Sequence, residues 1–267
     1  DSGVGGLSVW RELARQSPHE NIICLADQAH VPYGSRQLAE VQALSEGITR
    51  FLLTQGAKII VVACNTASAA ALHHLRRTFP GVDFVGMEPA IKPAVERTDN
   101  GVVGVIATQA TFQGELFASL VERYAGDVRV LTQPCPGLVE AVESGALDTP
   151  ETRSLLRKYL TPLVEAGVDQ LVLGCTHYPF LRPAIEQVVG ANTAVIDPAP
   201  AVARQTAHVL AQRGLEADQS QEARRIFYTS GDAATFSAMI ERLLRLSRKG
   251  AEARTVRWQE GRIHFTS

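Results

Sequence analysis

The chain has 267 residues, of which 45% are hydrophobic and 20% charged, and its formal net charge is −2. That length supports one large globular core or two smaller ones, and the balance is that of an ordinary globular protein. A charge so close to zero gives no general electrostatic reason to expect nucleic acid or a membrane surface as partner.

No signal peptide and no apolar run near the ~20 residues of a membrane span is visible. Four cysteines, at positions 24, 64, 135 and 175, form no Cys-x-x-Cys pair. A disulfide scaffold and a structural metal site are therefore not expected, and free thiols point to a reducing, cytoplasmic setting.

The chain opens in a glycine-rich loop, Asp1-Ser2-Gly3-Val4-Gly5-Gly6-Leu7-Ser8, that leads into a helix; a strand is expected to precede this numbering. The loop lacks the third glycine of the dinucleotide fingerprint. Backbone amides at such a turn suit a carboxylate, and the plainer alternative is a tight turn. Short apolar runs at 22–26, 58–63, 82–86, 102–107, 128–132, 169–174, 193–197 and 225–230 predict strands. Helices are predicted over 35–55, 110–124, 150–166, 179–189, 199–213 and 232–246. Such alternation predicts an α/β fold with parallel sheets covered by helices on both faces. Prolines in Glu88-Pro89-Ala90-Ile91-Lys92-Pro93 and in Asp197-Pro198-Ala199-Pro200 mark the crossings between domains. The expected domains are 1–91 with 206–267, and 92–205. Residues 242–254 are locally basic and read as a solvated helix face.

Two motifs stand out. Val61-Val62-Ala63-Cys64-Asn65-Thr66 and Val172-Leu173-Gly174-Cys175-Thr176-His177 lie 111 residues apart and look like a diverged repeat. Each places a thiol at the carboxyl end of a strand, where open parallel sheets bind ligands. A helix start there favours the thiolate, the form that acts as base or nucleophile. Spacing alone leaves catalysis and packing equally open for both. Asn65, Thr66, Thr176 and His177 add amide, hydroxyl and imidazole groups. Cys24 reads as a small buried hydrophobe, Cys135 as a loop residue, and His73 and His74 as surface residues. Pro32-Tyr33-Gly34-Ser35 forms a constrained loop whose hydroxyl or amides could grip a ligand.

Together the opening loop, Val31-Pro32-Tyr33-Gly34, Ala63-Cys64-Asn65-Thr66-Ala67-Ser68 and Leu173-Gly174-Cys175-Thr176-His177-Tyr178-Pro179 resemble bacterial glutamate racemases of the aspartate/glutamate racemase superfamily. Glu88–Ala94, Gly104–Thr108 and Phe227–Asp232 also fit; beyond Asp232 nothing is diagnostic. The resemblance implies two pseudo-symmetric flavodoxin-like or Rossmann-like domains with the active site in the cleft between them, and no cofactor. It implies interconversion of L- and D-glutamate for peptidoglycan, hence for cell wall and cell shape. Cys64 would act on the D-enantiomer and Cys175 on the L-enantiomer, with Asp1 assisting the first and His177 the second. Glu143 would be a further acidic helper, with Glu140 as the alternative. Asp1, Ser2, Tyr33, Gly34, Asn65, Thr66, Thr108, Thr176 and His177 would hold the substrate, and Thr111 is a further candidate. The family is commonly dimeric, and some members are reported to bind DNA gyrase. Two stretches depart from the family: Asp27-Gln28-Ala29-His30 stands where Gly-Asp-Thr is common, and Asp197-Pro198-Ala199-Pro200 replaces Asp-Ser-Gly-Ala.

Cofactor-free chemistry also fits the lysines. A pyridoxal phosphate route needs a Schiff-base lysine, and Lys58, Lys92, Lys158 and Lys249 all lie outside the thiol and glycine motifs. Rival readings are an aspartate racemase, disfavoured within the superfamily by His177 after Cys175-Thr176, and a one-thiol hydrolase or amidase. A non-catalytic gyrase binder is the third.

Overall fold

The computed structural model describes residues 1–113 and 115–266. They form two compact units, Asp1–Met87 with Ala199–Ser267, and Glu88–Pro198. The crossings at Met87/Glu88 and Pro198/Ala199 lie a few residues before those expected from sequence.

The first unit begins with α1 (Gly6–Gln16), β1 (Ile22–Ala26), α2 (Leu38–Thr54), β2 (Ile59–Val62), α3 (Asn65–Thr78) and β3 (Asp83–Gly86). The second holds α4 (Ile91–Val95), β4 (Val102–Ala107), α5 (Gln109–Gln113), α6 (Glu115–Tyr124), β5 (Arg129–Pro134) and α7 (Leu138–Glu143). It continues with α8 (Pro150–Glu165), β6 (Gln170–Gly174), α9 (Arg182–Val189) and β7 (Ala194–Ile196). The chain returns to the first unit with α10 (Ala199–Arg213), β8 (Arg225–Thr229), α11 (Ala233–Leu244), β9 (Ala253–Gln259) and β10 (Arg262–Phe265).

In the second unit four parallel strands lie in the order β5-β4-β6-β7. Counted within the unit this is 2-1-3-4, a doubly wound sheet whose order reverses between β4 and β6. Every residue of β6 is buried, which is why its sequence, Gln-Leu-Val-Leu-Gly, is near-continuously apolar rather than alternating. Gly174 ends it beside Ala107 of β4; a side chain there would meet Ala107 Cβ at 2.9 Å and the Ile106 carbonyl at 3.0 Å. The glycine keeps the two strand ends in close register, and the register fixes which residues emerge at the switch point.

The first unit contains β2 paired parallel with β3, and a sheet ordered β1-β8-β9-β10. Pairing is parallel from β1 through β9, and β10 closes the sheet antiparallel to β9. A cavity of about 430 Å³ lies within this unit, walled by β1 residues Ile22–Leu25, β2 residues Ile59–Val62 and apolar side chains of α1 and α2.

The strand–helix alternation follows the sequence closely, with five differences. The helix predicted over 35–55 starts at Leu38, after a single 3-10 turn at Tyr33–Ser35. The helix predicted over 110–124 is described as α5 and α6; Gly114 lies outside the described residues. The segment predicted over 179–189 is a 3-10 turn at Tyr178–Leu181 followed by α9; Pro179 and Pro183, which lack the N–H of a continuing helix, each occupy a first turn. The basic 242–254 segment is not a helix face. Helix α11 stops at Leu244, where Arg245 turns left-handed at φ 55°, and the chain passes through a 3-10 turn at Arg248–Gly250 into β9. Strand β9, with its hairpin partner β10, was not expected from sequence. Ala-Arg-Thr-Val-Arg-Trp-Gln puts only Val256 fully inside, too little apolar alternation to stand out.

Candidate active site

In the first unit β2 ends two residues before Cys64, and α3 begins one residue after it. Cys64 is itself the N-cap of α3. Its backbone is extended at φ −144° and ψ 124°, and its sulfur accepts the Ala67 N–H at 3.4 Å. The sulfur thus occupies the place where an oxygen cap normally satisfies a free helix N–H. The positive end of a 14-residue helix faces it, which favours the thiolate. Cys64 is 6% exposed. Ser68 locks the turn by donating to the Val62 carbonyl at 3.1 Å and accepting from the Met87 N–H at 2.8 Å.

Asn65 follows, 2% exposed, and neither its amide nitrogen nor its amide oxygen has a hydrogen-bond partner among the described residues. A buried amide left unpaired costs about 1–3 kcal/mol per group, so a polar ligand is the natural partner. Thr66 is buried beside it.

The glycine-rich loop does hold a carboxylate, and it is Asp1's own: Oδ1 accepts the Gly3 N–H at 2.8 Å and the Ser2 hydroxyl at 3.3 Å. Gly6 is required at the start of α1, because a Cβ there would lie 2.6 Å from Asp1 Cβ. Ser2 is buried, and Gly34 is half-buried. Tyr33 is 2% exposed, and its hydroxyl donates to Asp27 Oδ2 at 2.7 Å. Asp1, Tyr33 and Cys64 also line the cavity, whose other walls mix apolar strand and helix side chains with polar and charged ones such as Glu20, Lys58 and Arg224.

In the second unit Cys175 directly follows β6, and Thr108 directly follows β4. They sit at the carboxyl ends of the two strands where the sheet order reverses, the usual ligand position in such a sheet. Cys175 Sγ lies 3.7 Å from His177 Nδ1, and His177 Nε2 lies 2.7 Å from Glu143 Oε1. Glu143 is the last residue of α7, whereas Glu140, one turn earlier, is exposed. Glu143 is therefore the carboxylate that reaches the imidazole. Burial by itself would lower the His177 pKa, but the contacts with Cys175 and Glu143 outweigh it, and the imidazole is pushed up to about 9. Thr176 is buried, and the Thr108 and Thr111 hydroxyls lie 3.0 Å apart.

The other two cysteines differ. Burial pushes the Cys24 thiol up to about 11. Burial, followed by the charge of neighbouring Cys175, holds the Cys135 thiol well above the usual range, and its S–H donates to the Gln133 carbonyl at 3.3 Å. Cys135 does lie in a loop, and a buried one. His73 is exposed, while His74 Nε2 sits 3.0 Å from Glu46 Oε2 on the helix surface.

Sequence reading missed one prominent group. Asp27, fully buried, collects four side-chain partners, one from a strand that was itself unforeseen. Its position in the stretch that departs from the family pattern was the only available signal.

The chain matches the family model described as Asp/Glu/Hydantoin racemase over residues 5–206. It is 51% identical over 244 residues to a glutamate racemase of Roseiflexus sp. (strain RS-1), covering 91% of this chain and 90% of that protein. The crystal structure of a glutamate racemase isoform from Bacillus anthracis superposes with a TM-score of 0.87 at 32% identity, covering 98% of this chain and 96% of that one. A glutamate racemase from Francisella tularensis, solved with D-glutamate, gives 0.82 at 28% identity over 96% and 95% of the two chains. The Escherichia coli glutamate racemase, solved with L-glutamate and the activator UDP-MurNAc-ala, gives 0.82 at 31% identity over 96% and 94%. A thiol at a strand end in each α/β unit and these likenesses lead to one assignment: the chain belongs to the Asp/Glu racemase family and, within it, to the glutamate racemases, which are isomerases.

Proposed function

We propose that the chain interconverts L- and D-glutamate without a cofactor, using Cys64 and Cys175 as two opposed bases, and supplies D-glutamate for peptidoglycan in the cytoplasm. The observation that carries this reading is the sorting of the four thiols. Cys64 and Cys175 each have a polar group at the sulfur at the end of a strand, the Ala67 helix N–H and the His177 imidazole respectively. Burial pushes the Cys24 and Cys135 thiols up instead. Substrate identity is supported by the two relatives solved with D- and L-glutamate.

With D-glutamate, the Cys64 thiolate takes the Cα proton and leaves a carbanion-like centre. The Cys175 thiol then gives its proton to the opposite face, so L-glutamate leaves with Cys64 as thiol and Cys175 as thiolate. The return reaction reverses the roles. An α-proton is far less acidic than a thiol of ordinary pKa about 8.5, so the step needs strong stabilisation of developing charge. The unpaired Asn65 amide and the Thr66, Thr108 and Thr176 hydroxyls are the donors for the substrate, with Ser2, Tyr33 and Gly34 beside them. His177, positioned by Glu143, serves the Cys175 side, and Asp1 serves the Cys64 side.

The test is racemisation of each enantiomer in D₂O with no added cofactor, following optical rotation and the Cα proton together. Loss of rotation with deuterium entering at Cα is expected. Exchange with aspartate and none with glutamate would reassign the substrate. A covalent acyl-enzyme on one cysteine, with no exchange, would replace the two-base reading by a hydrolase.

A further inference from the structure

Asp27 follows β1 at its carboxyl end and has no exposed surface. Four side chains converge on its carboxylate. Trp258 Nε1 donates to Oδ1 at 2.7 Å, and the Ser230 hydroxyl donates to the same oxygen at 2.6 Å. The Tyr33 hydroxyl donates to Oδ2 at 2.7 Å, and His30 Nδ1 lies 3.0 Å from that oxygen. A carboxylate has about four acceptor directions, so this one is fully used within the protein. Its main chain is engaged too, the Asp27 N–H donating to the Asp1 carbonyl at 3.0 Å.

The partners come from three separate places. His30 and Tyr33 lie in the loop that ends in Pro32-Tyr33-Gly34, Ser230 follows β8, and Trp258 sits on β9 of the C-terminal hairpin. Trp258 is held on its other sides. Its ring packs edge-on to His30 with centroids 5.5 Å apart, and it fills the space over Gly47 of α2, where any Cβ would fall 2.6 Å from the ring. Tyr33 belongs to the same buried cluster as Cys64 and Ala67, the residue whose N–H donates to the Cys64 sulfur. A tyrosine hydroxyl so tightly committed to a carboxylate does not serve as a free donor to substrate. It fixes where the ring and the following glycine stand.

We propose that Asp27 is a positioning residue for the Cys64 half of the reaction, transmitting the placement of Trp258 in the C-terminal hairpin to Tyr33 and, through its main chain, to Asp1. This gives a role to β9 and β10, which lie outside the 5–206 family match. It rests on the two-thiol reading above, and the test separates the two.

The chain contains two tryptophans, Trp10 and Trp258, so their indole N–H signals in a ¹⁵N-labelled sample are easily told apart. Tyr33→Phe is expected to move the Trp258 indole signal and leave that of Trp10 in place, because only Trp258 shares the carboxylate. No movement overturns the network, and this readout does not depend on any activity. Trp258→Phe keeps a ring over Gly47 and removes one N–H. It is expected to lower kcat/KM about tenfold, the effect of losing one hydrogen bond to a charged group. The Tyr33→Phe/Trp258→Phe double variant is expected to lose much less than the product of the single losses, since both act through Asp27.

The enantiomers have equal free energy in water, so kcat/KM must fall equally in both directions, and the diagnostic is the isotope effect. With Cα-deuterated D-glutamate the isotope effect is expected to grow in Trp258→Phe, and with Cα-deuterated L-glutamate to shrink. A variant that loses thermal stability but keeps wild-type kcat/KM and isotope effects would show Asp27 to be structural only. Wild-type protein without Cα exchange would instead sink the two-thiol reading, while the indole shift would still report on the network.

Discussion

The two thiol sites reach a similar end by different means. Cys64 is supported by main chain: it caps a 14-residue helix, and its sulfur takes the N–H of Ala67. Cys175 has no long helix behind it, because a four-residue 3-10 turn with Pro179 follows the strand. It is supported by side chains instead, through His177 and Glu143. A helix end supplies a fixed partial charge that does not titrate. An imidazole paired with a carboxylate supplies a full charge, but only while it holds its proton. On the proposed two-base reading, the two thiols would do equivalent chemistry in unlike surroundings, and the two sides should differ in their response to pH.

The largest effect expected from breaking this pair is loss of either thiol. Cys64→Ala and Cys175→Ala should each reduce racemisation by more than about 10³-fold, as removal of a group essential to proton transfer does. A single variant that keeps substantial turnover would refute the two-base mechanism.

Next comes the side-chain support of Cys175. His177→Asn should lower kcat/KM about 10²-fold, and Glu143→Gln less, with the isotope effect growing on Cα-deuterated L-glutamate. Equal isotope effects on both enantiomers would mean that the imidazole does not belong to one side.

The pH response sharpens the contrast. His177 is raised from its unperturbed 6.5 to about 9. A raised pKa means that the folded state holds the proton more tightly, so its stabilisation is complete below about pH 6.5 and lost as pH rises through about 9. The full effect is on the order of 3 kcal/mol. Melting temperatures of wild type and His177→Gln should therefore converge across this window. A difference that stays constant to about pH 10 would place the proton elsewhere. In rates, Glu143→Gln should move an alkaline limb near pH 9 to lower pH, since a charge that raises the imidazole pKa is removed.

Asn65→Ala should weaken the apparent affinity for glutamate about tenfold, the effect of losing one or two hydrogen bonds to a charged ligand, with a smaller change in kcat. Unchanged KM would mean that the buried amide serves packing alone. The smallest expected effect is that of Cys24→Ala, which should leave kcat/KM within about twofold, as a thiol raised toward 11 takes no part in proton transfer. A larger loss would break the sorting of the four cysteines.

Much of this was legible in the sequence because it is written in short-range pattern. Strands 22–26 and 102–107 and helix 199–213 coincide with β1, β4 and α10, since continuous apolar runs and amphipathic repeats need only neighbouring residues to be recognised. The thiol motifs were legible for the same reason: a strand, a cysteine and small polar residues are contiguous. The C-terminal hairpin was not, because β9 fully buries only Val256 and interleaves Ala253 and Trp258 with arginine, threonine and glutamine. Its place is set by parallel pairing with β8, which lies more than twenty residues back.

Sequence by itself therefore determined the fold class, the strand–helix alternation ahead of the C-terminal hairpin, and the candidacy of Cys64, Cys175 and His177. Tertiary structure decided which glutamate meets the imidazole, since Glu140 and Glu143 both sit on α7 and only the packing of that helix against the Tyr178 turn turns Glu143 inward. It also decided that Tyr33 answers to Asp27, whose partners lie 3, 6, 203 and 231 residues away. Hydrogen bonds across such separations depend on how whole elements pack, and no local periodicity carries that information.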